Sequence, residues 1–173
     1  MTAADVAVPV RDVLGLPVHA FDLPGFARWL AATAEGPAGP VRVGYVNAAT
    51  VDLAARDRAF LADLRAMECL VADGQSVVWA ARHLDQPLPE RVNITDVAPS
   101  VVAEVAARGL RVALVGGRPG EAEGFAAAMA RTSPDLQEVL TSSGYLDDAA
   151  EAALLERLAE ADPHLVLLGM GAP

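Results

Sequence analysis

Short apolar runs alternate along the chain with longer stretches in which apolar residues return every three or four positions. Strands and amphipathic helices taken in turn leave this pattern. Strand signals cover Val10 to Leu14 and Pro17 to Ala20 around Gly15, then Arg42 to Val46, Met67 to Ala72, Leu110 to Val115, Gln137 to Thr141 and Leu165 to Gly169, the last read as buried. Helical spacing covers Leu23 to Ala34, Val51 to Ala66 with a break near Asp57, a segment after Gly74 carrying Val77, Val78, Ala81 and Leu84, Val97 to Arg108, and Glu121 to Arg131. A last helix runs through Ala161, with Asp148 and Glu151 as its capping pair. Pro99 is tolerated because it falls in the first turn of its helix. The breaks are Gly36 to Pro40 and a loop from Asp85 to Thr95 that carries Pro87, Pro89 and Arg91. Alternation of this kind predicts an α/β protein with a mostly parallel sheet and helices on both faces.

With 173 residues, 53% hydrophobic and 21% charged, the chain can bury a core as a single domain or as two packed α/β halves, about 1–108 and 109–173. No apolar run approaches the ~20 residues needed to cross a bilayer, and Met1 to Val10 lacks the features of a signal peptide. The default compartment is the cytoplasm. Cys69, the single cysteine, lies inside a strand signal and reads as a buried, inert thiol. A net charge of −10 argues against nucleic acid and against electrostatic adhesion to anionic lipid. All thirteen basic residues are arginine, which removes Schiff-base chemistry and a Walker-type lysine. His19, His83 and His164 have no ligand spacing, so no metal site is expected. Trp29 and Trp79 fall on apolar helical stripes and read as core, and Arg56, Arg58 and Arg65 as a solvated helix face.

Two places carry candidate chemistry. In Val71-Ala72-Asp73-Gly74-Gln75, an acid stands where a strand gives way to a helix. In an open α/β sheet that junction lines the ligand crevice. Asp73 either faces substrate there or caps the helix that follows, and taken alone the cap is the simpler role. In Gly116-Gly117-Arg118-Pro119-Gly120, glycines follow a strand and open a helix, a layout that suits a diphosphate. Without other support a tight strand-to-helix turn is the favoured explanation.

Taken in order, four segments are similar to the WecG/TagA/CpsF family of bacterial glycosyltransferases: Tyr45-Val46-Asn47-Ala48, Ala72-Asp73-Gly74, Pro89-Glu90-Arg91-Val92 with Asp96 behind it, and Val115 to Gly120. Gly144-Tyr145 and the run Leu168-Gly169-Met170-Gly171-Ala172-Pro173 follow in the family's order. The resemblance spans about Val13 to Pro173. It implies a Rossmann-like fold and an inverting transferase that moves an N-acetylmannosamine-type sugar from UDP to a lipid diphosphate-linked acceptor in cell-surface polysaccharide or teichoic acid synthesis. It also implies no cofactor beyond the UDP-sugar and no metal. Asp73 matches the family's general base. Asn47, Tyr45, Arg91, Asp96 and Gly74 match the substrate pocket, and Gly116, Gly117, Arg118, Gly120, Gly144, Tyr145, Gly169 and Gly171 the nucleotide side. A lipid-linked acceptor implies work at the inner face of the membrane.

Three departures stand out. Tyr45 replaces a threonine common in the family, Asn93-Ile94-Thr95-Asp96 is altered where glycine usually precedes the aspartate, and a Lys-Gln-Glu sequence would begin only after Pro173. The last strand reaches the ligand crevice with no helix after it, so a following segment or a partner, a second copy of the chain included, is expected to cover it. Two rivals accompany the transferase reading: a transferase with a soluble acceptor, and a nucleotide-sugar-binding protein that has lost catalysis.

Overall fold

The computed structural model describes residues 8–36 and 39–171, which form an α/β, Rossmann-like fold in two compact units divided between Ala98 and Pro99. Pro37, Ala38, Ala172 and Pro173, with the expectations attached to them, lie outside the described residues, as do residues 1–7. No helix among the described residues is long and apolar enough to cross a membrane.

The first unit opens with β1 (Val10–Val13) and β2 (Leu16–His19), an antiparallel hairpin that turns through Leu14 and Gly15, both at positive φ. Then come α1 (Leu23–Glu35), β3 (Val43–Val46), α2 (Ala48–Arg56), α3 (Arg58–Arg65), β4 (Cys69–Ala72) and α4 (Gln75–His83). Side-chain caps set the boundaries. The Asp22 carboxylate accepts the Gly25 N–H at 2.7 Å to start α1. Asp57 ends α2 and accepts the Ala59 and Phe60 N–H groups at 2.8 and 3.1 Å to start α3, so one residue both breaks and restarts the helical run.

β3 and β4 pair in parallel and in register, Val43 with Cys69 through Val46 with Ala72. All four residues of β4 are buried, and the core gathers Val13, Leu16 and Val18 of the hairpin with Val46, Leu70, Ala72, Val77 and Ala81. β2 lies beside β4, where the Leu70 N–H donates to Nδ1 of His19 at 3.3 Å. Phe21, Phe26, half-buried Trp29 and Tyr45 form an aromatic cluster with ring centroids 5.2–6.4 Å apart.

The second unit holds a parallel sheet of order β6-β5-β7, from β5 (Arg111–Gly116), β6 (Gln137–Ser142) and β7 (Leu165–Gly169), with helices α6 (Glu121–Thr132) and α7 (Asp148–Ala161). Leu154, Leu158 and Ala161 of α7 pack with Ala113, Val115 and Leu140. The division between units falls within α5 (Ile94–Ala107).

Four expectations need correction. Helix α5 starts at Ile94, so Pro99 sits inside it and not in its first turn. The Asn93 carbonyl accepts the Asp96 and Val97 N–H groups and its side chain the Thr95 N–H, which launches the helix a turn early; what Pro99 forgoes is one bond to the residue four before it. α7 is capped by Asp147, whose carboxylate accepts the Ala150 N–H at 2.8 Å. Asp148 and Glu151 stand instead in its first turn, where acids suit the helix dipole. β7 is not buried: it pairs only with β5, and Leu168 is 69% exposed. Trp79 is 65% exposed, because Val77, Val78 and Ala81 define the inward face of α4 and Trp79 stands about 200° around the helix from Val77 and from Ala81.

Burial holds the His19 imidazole below its ordinary value of 6.5, and an Nδ1 that accepts an N–H must be unprotonated. The unfolded chain therefore takes up this proton at a higher pH than the folded one. The resulting stability is complete above about pH 6.5 and is lost as pH falls through the depressed folded value. In urea unfolding between about pH 7.5 and 5.5, His19→Asn, which keeps an acceptor but does not titrate, should flatten part of the slope. Equal slopes in the two proteins would remove His19 from this role.

Candidate active site

Because β3 and β4 run parallel and end level at Val46 and Ala72, the next residue of each, Asn47 and Asp73, emerges at the same edge of the first unit. The Val46 carbonyl accepts both the Asp73 N–H at 2.8 Å and the Gly74 N–H at 3.3 Å, tying the two chain exits together. A Cβ on Gly74 would stand 3.3 Å from both Cα and Cβ of Asn47, so glycine permits this close approach.

The two carboxylate oxygens of Asp73 each accept a side-chain amide. Asn93 Nδ2 donates to Oδ1 at 2.7 Å, and Asn47 Nδ2 donates to Oδ2 at 3.4 Å. Asn47 is held in turn as the cap of α2, its Oδ1 accepting the Thr50 N–H at 3.0 Å and the Thr50 hydroxyl at 3.1 Å. Helix α4 begins on Gly74 without a side-chain cap. Two amide donors orient Asp73 and leave acceptor positions on both oxygens.

The loop before α5 completes this arrangement. The Val92 N–H donates to the Ala72 carbonyl at 2.7 Å, which brings Asn93 beside Asp73. Glu90 accepts the Leu23 N–H at 2.7 Å, anchoring the same loop to the start of α1. Arg91 and Asp96 form an ion pair with each other, both partly exposed. Tyr45 packs edge-on against Phe26, and burial, with Cys69 and Asp73 adding to it, pushes its phenol up and keeps it protonated. Burial likewise pushes the Cys69 thiol up to about 12. The structure thus brings Asn47, Asp73 and Gly74 together, with Tyr45 on the same strand as the approach to Asn47.

In the second unit, Gly116, Gly117, Gly144 and Gly169 meet where β5, β6 and β7 end. The Gly117 N–H donates to the Gly169 carbonyl at 3.1 Å, and the Gly144 N–H to the Gly117 carbonyl at 2.9 Å. Gly116 has φ +151°, and a Cβ there would fall 2.5 Å from the Gly169 carbonyl oxygen, so no other residue fits. The Arg118 N–H donates to the Glu121 carboxylate at 2.8 Å, and Gly120 opens α6 without a side-chain cap. Tyr145 is 73% exposed, and Gly171 lies beyond the end of β7. Two of the N–H groups that suggest a diphosphate seat are therefore engaged within the unit.

Sequence reasoning missed Asn93 and Glu121. An asparagine before a helix signals a cap, which Asn93 is; nothing in the sequence signals that its amide nitrogen reaches a residue twenty positions away. Glu121 reads from sequence as an ordinary first-turn acid. Among the described residues, no three His, Cys, Asp or Glu side chains gather as a group able to hold a metal ion.

No curated protein matches the chain. The model of the WecG/TagA/CpsF glycosyl transferase family matches residues 11–173, a span that contains Asn47, Asp73 and the glycine turn. Nearly the whole chain is covered, and the protein belongs to the WecG/TagA/CpsF family of glycosyltransferases.

Proposed function

We propose that this transferase moves an N-acetylmannosamine-type sugar from UDP to a lipid diphosphate-linked acceptor, with inversion and without a divalent metal, and that Asp73 is its general base. The observation that carries the reading is the Asp73 carboxylate, which stands at the end of β4, is held by two amides and is not spent on capping α4. In the reaction the acceptor hydroxyl oxygen attacks the anomeric carbon and its proton passes to Asp73. The bond from that carbon to the UDP oxygen breaks, and UDP leaves with the electron pair. Asn47 would bind a sugar hydroxyl or N-acetyl group, and Arg91, an arginine able to face a departing phosphate, would help to stabilise UDP once freed from Asp96. The donor's diphosphate would bind at the Gly116–Gly117 turn, displacing the Glu121 carboxylate from the Arg118 N–H.

A soluble acceptor is the second reading, favoured by the net charge of −10, which repels anionic lipid. Turnover with a water-soluble acceptor sugar, set against the same sugar on a lipid diphosphate, separates the two.

Asp73→Asn should lower kcat by about 10²- to 10⁴-fold while UDP binding is kept, because the amide preserves size and cannot take the proton. Near-normal turnover by a folded variant would dismiss Asp73 as the base.

UDP titration should show equal affinity with and without a chelator, and Glu121→Gln should bind UDP more tightly, because one of two anions competing for the same N–H loses its charge. Affinity lost on chelation and restored by magnesium would refute metal independence. Unchanged UDP affinity in Glu121→Gln would place the diphosphate away from this turn.

A further inference from the structure

Capping α5 explains why an asparagine stands at position 93, but capping uses only its oxygen. Asn93 Oδ1 accepts the Thr95 N–H at 2.9 Å and also the Thr95 hydroxyl, which fixes the orientation of the amide. Its Nδ2 is thereby aimed at Asp73 Oδ1, 2.7 Å away. Asn47 is built the same way from the other side, with its oxygen consumed by Thr50 and its nitrogen 3.4 Å from Asp73 Oδ2. The two bonds differ in length by enough to matter: a short donation to a carboxylate oxygen is strong, and one at 3.4 Å is slack.

We propose that Asn93 is the positioning residue of this site: it engages Asp73 Oδ1, fixes the plane of the carboxylate and leaves Oδ2 as the oxygen that takes the acceptor's proton. This inference rests on Asp73 being the general base. An oxygen already accepting a short hydrogen bond is the less basic of the pair, so the proton goes to its neighbour. The other ionisable groups around the site do not compete for this role. Tyr45 on β3 stays protonated, burial keeps the Cys69 thiol of β4 protonated, and Arg91 and Asp96 on either side of Asn93 are paired with each other.

The cap and the positioning role separate by substitution. Asn93→Asp keeps an acceptor for Thr95, so the start of α5 is preserved, but sets a carboxylate against Asp73. Two facing carboxylates share a proton. The expected result is a kcat lower by about 10²-fold with KM little changed, and an acid limb of the kcat–pH profile moved to higher pH. Asn93→Ser also caps a helix but is too short to reach Asp73, and should lower kcat by about 10- to 100-fold, again at nearly constant KM, with a wild-type melting temperature. If Asp73→Asn is inactive while Asn93→Asp matches the wild type in kcat and pH profile, this proposal alone is overturned. The same holds if both Asn93 variants lose activity only in proportion to a lowered melting temperature, with the pH profile unmoved. If Asp73→Asn itself turns over normally, the reading of the base fails first, and this inference falls with it.

Discussion

The in-register parallel pairing of β3 with β4 is the constraint on which the candidate site depends. Parallel strands that end level deliver their next residues to one edge, and here those residues are Asn47 and Asp73. A shift of one residue would turn each side chain of β4 to the opposite face. That shift would carry Glu68 or Asp73 into one of the enclosed positions now held by Cys69, Leu70, Val71 and Ala72, and burying a charge there is costly. The apolar core therefore sets the position of a polar carboxylate, although the carboxylate contributes nothing to that core.

Around this pairing, polar groups are satisfied in a way that also orients them. Asn47 and Asn93 each spend an oxygen on starting a helix, α2 and α5, and each has a nitrogen left for Asp73. A helix start leaves several N–H groups without partners, so a capping residue is held firmly. Two capping amides on one carboxylate make a rigid frame from groups that local structure needed in any case. Val92 adds a backbone bond to Ala72, so the loop that supplies Asn93 is drawn along the end of β4.

The second unit solves a different packing problem at its strand ends. Three parallel strands finish close together, and Gly116, against the Gly169 backbone, and Gly144, against Gly116, keep backbones in contact where a side chain would intrude. The turn that follows β5 carries its own anion, the Glu121 carboxylate on the Arg118 N–H. An anionic ligand entering there meets a like charge, so binding and the displacement of Glu121 are coupled events.

Much of the architecture was legible in the chain. Short apolar runs and period-3.6 patterning located every strand and helix described, and the break at Asp57 and the strand-to-helix junction at Asp73 came from local signals alone. Local signals failed where exposure or reach decided the outcome. Trp79 and β7 are apolar and read as buried, yet which face of a helix or edge of a sheet meets solvent depends on the packing of distant elements. Asp73 alone was ambiguous between a cap and a functional acid, and only the fold set its carboxylate between amides from positions 47 and 93. The sequence by itself determined the order of the elements, because hydrophobic period and capping chemistry act over a few residues. Tertiary structure decided which polar atoms meet, because those contacts join residues twenty or more positions apart and are imposed by the buried pairing of β3 with β4 and by the Val92 bond to the end of β4.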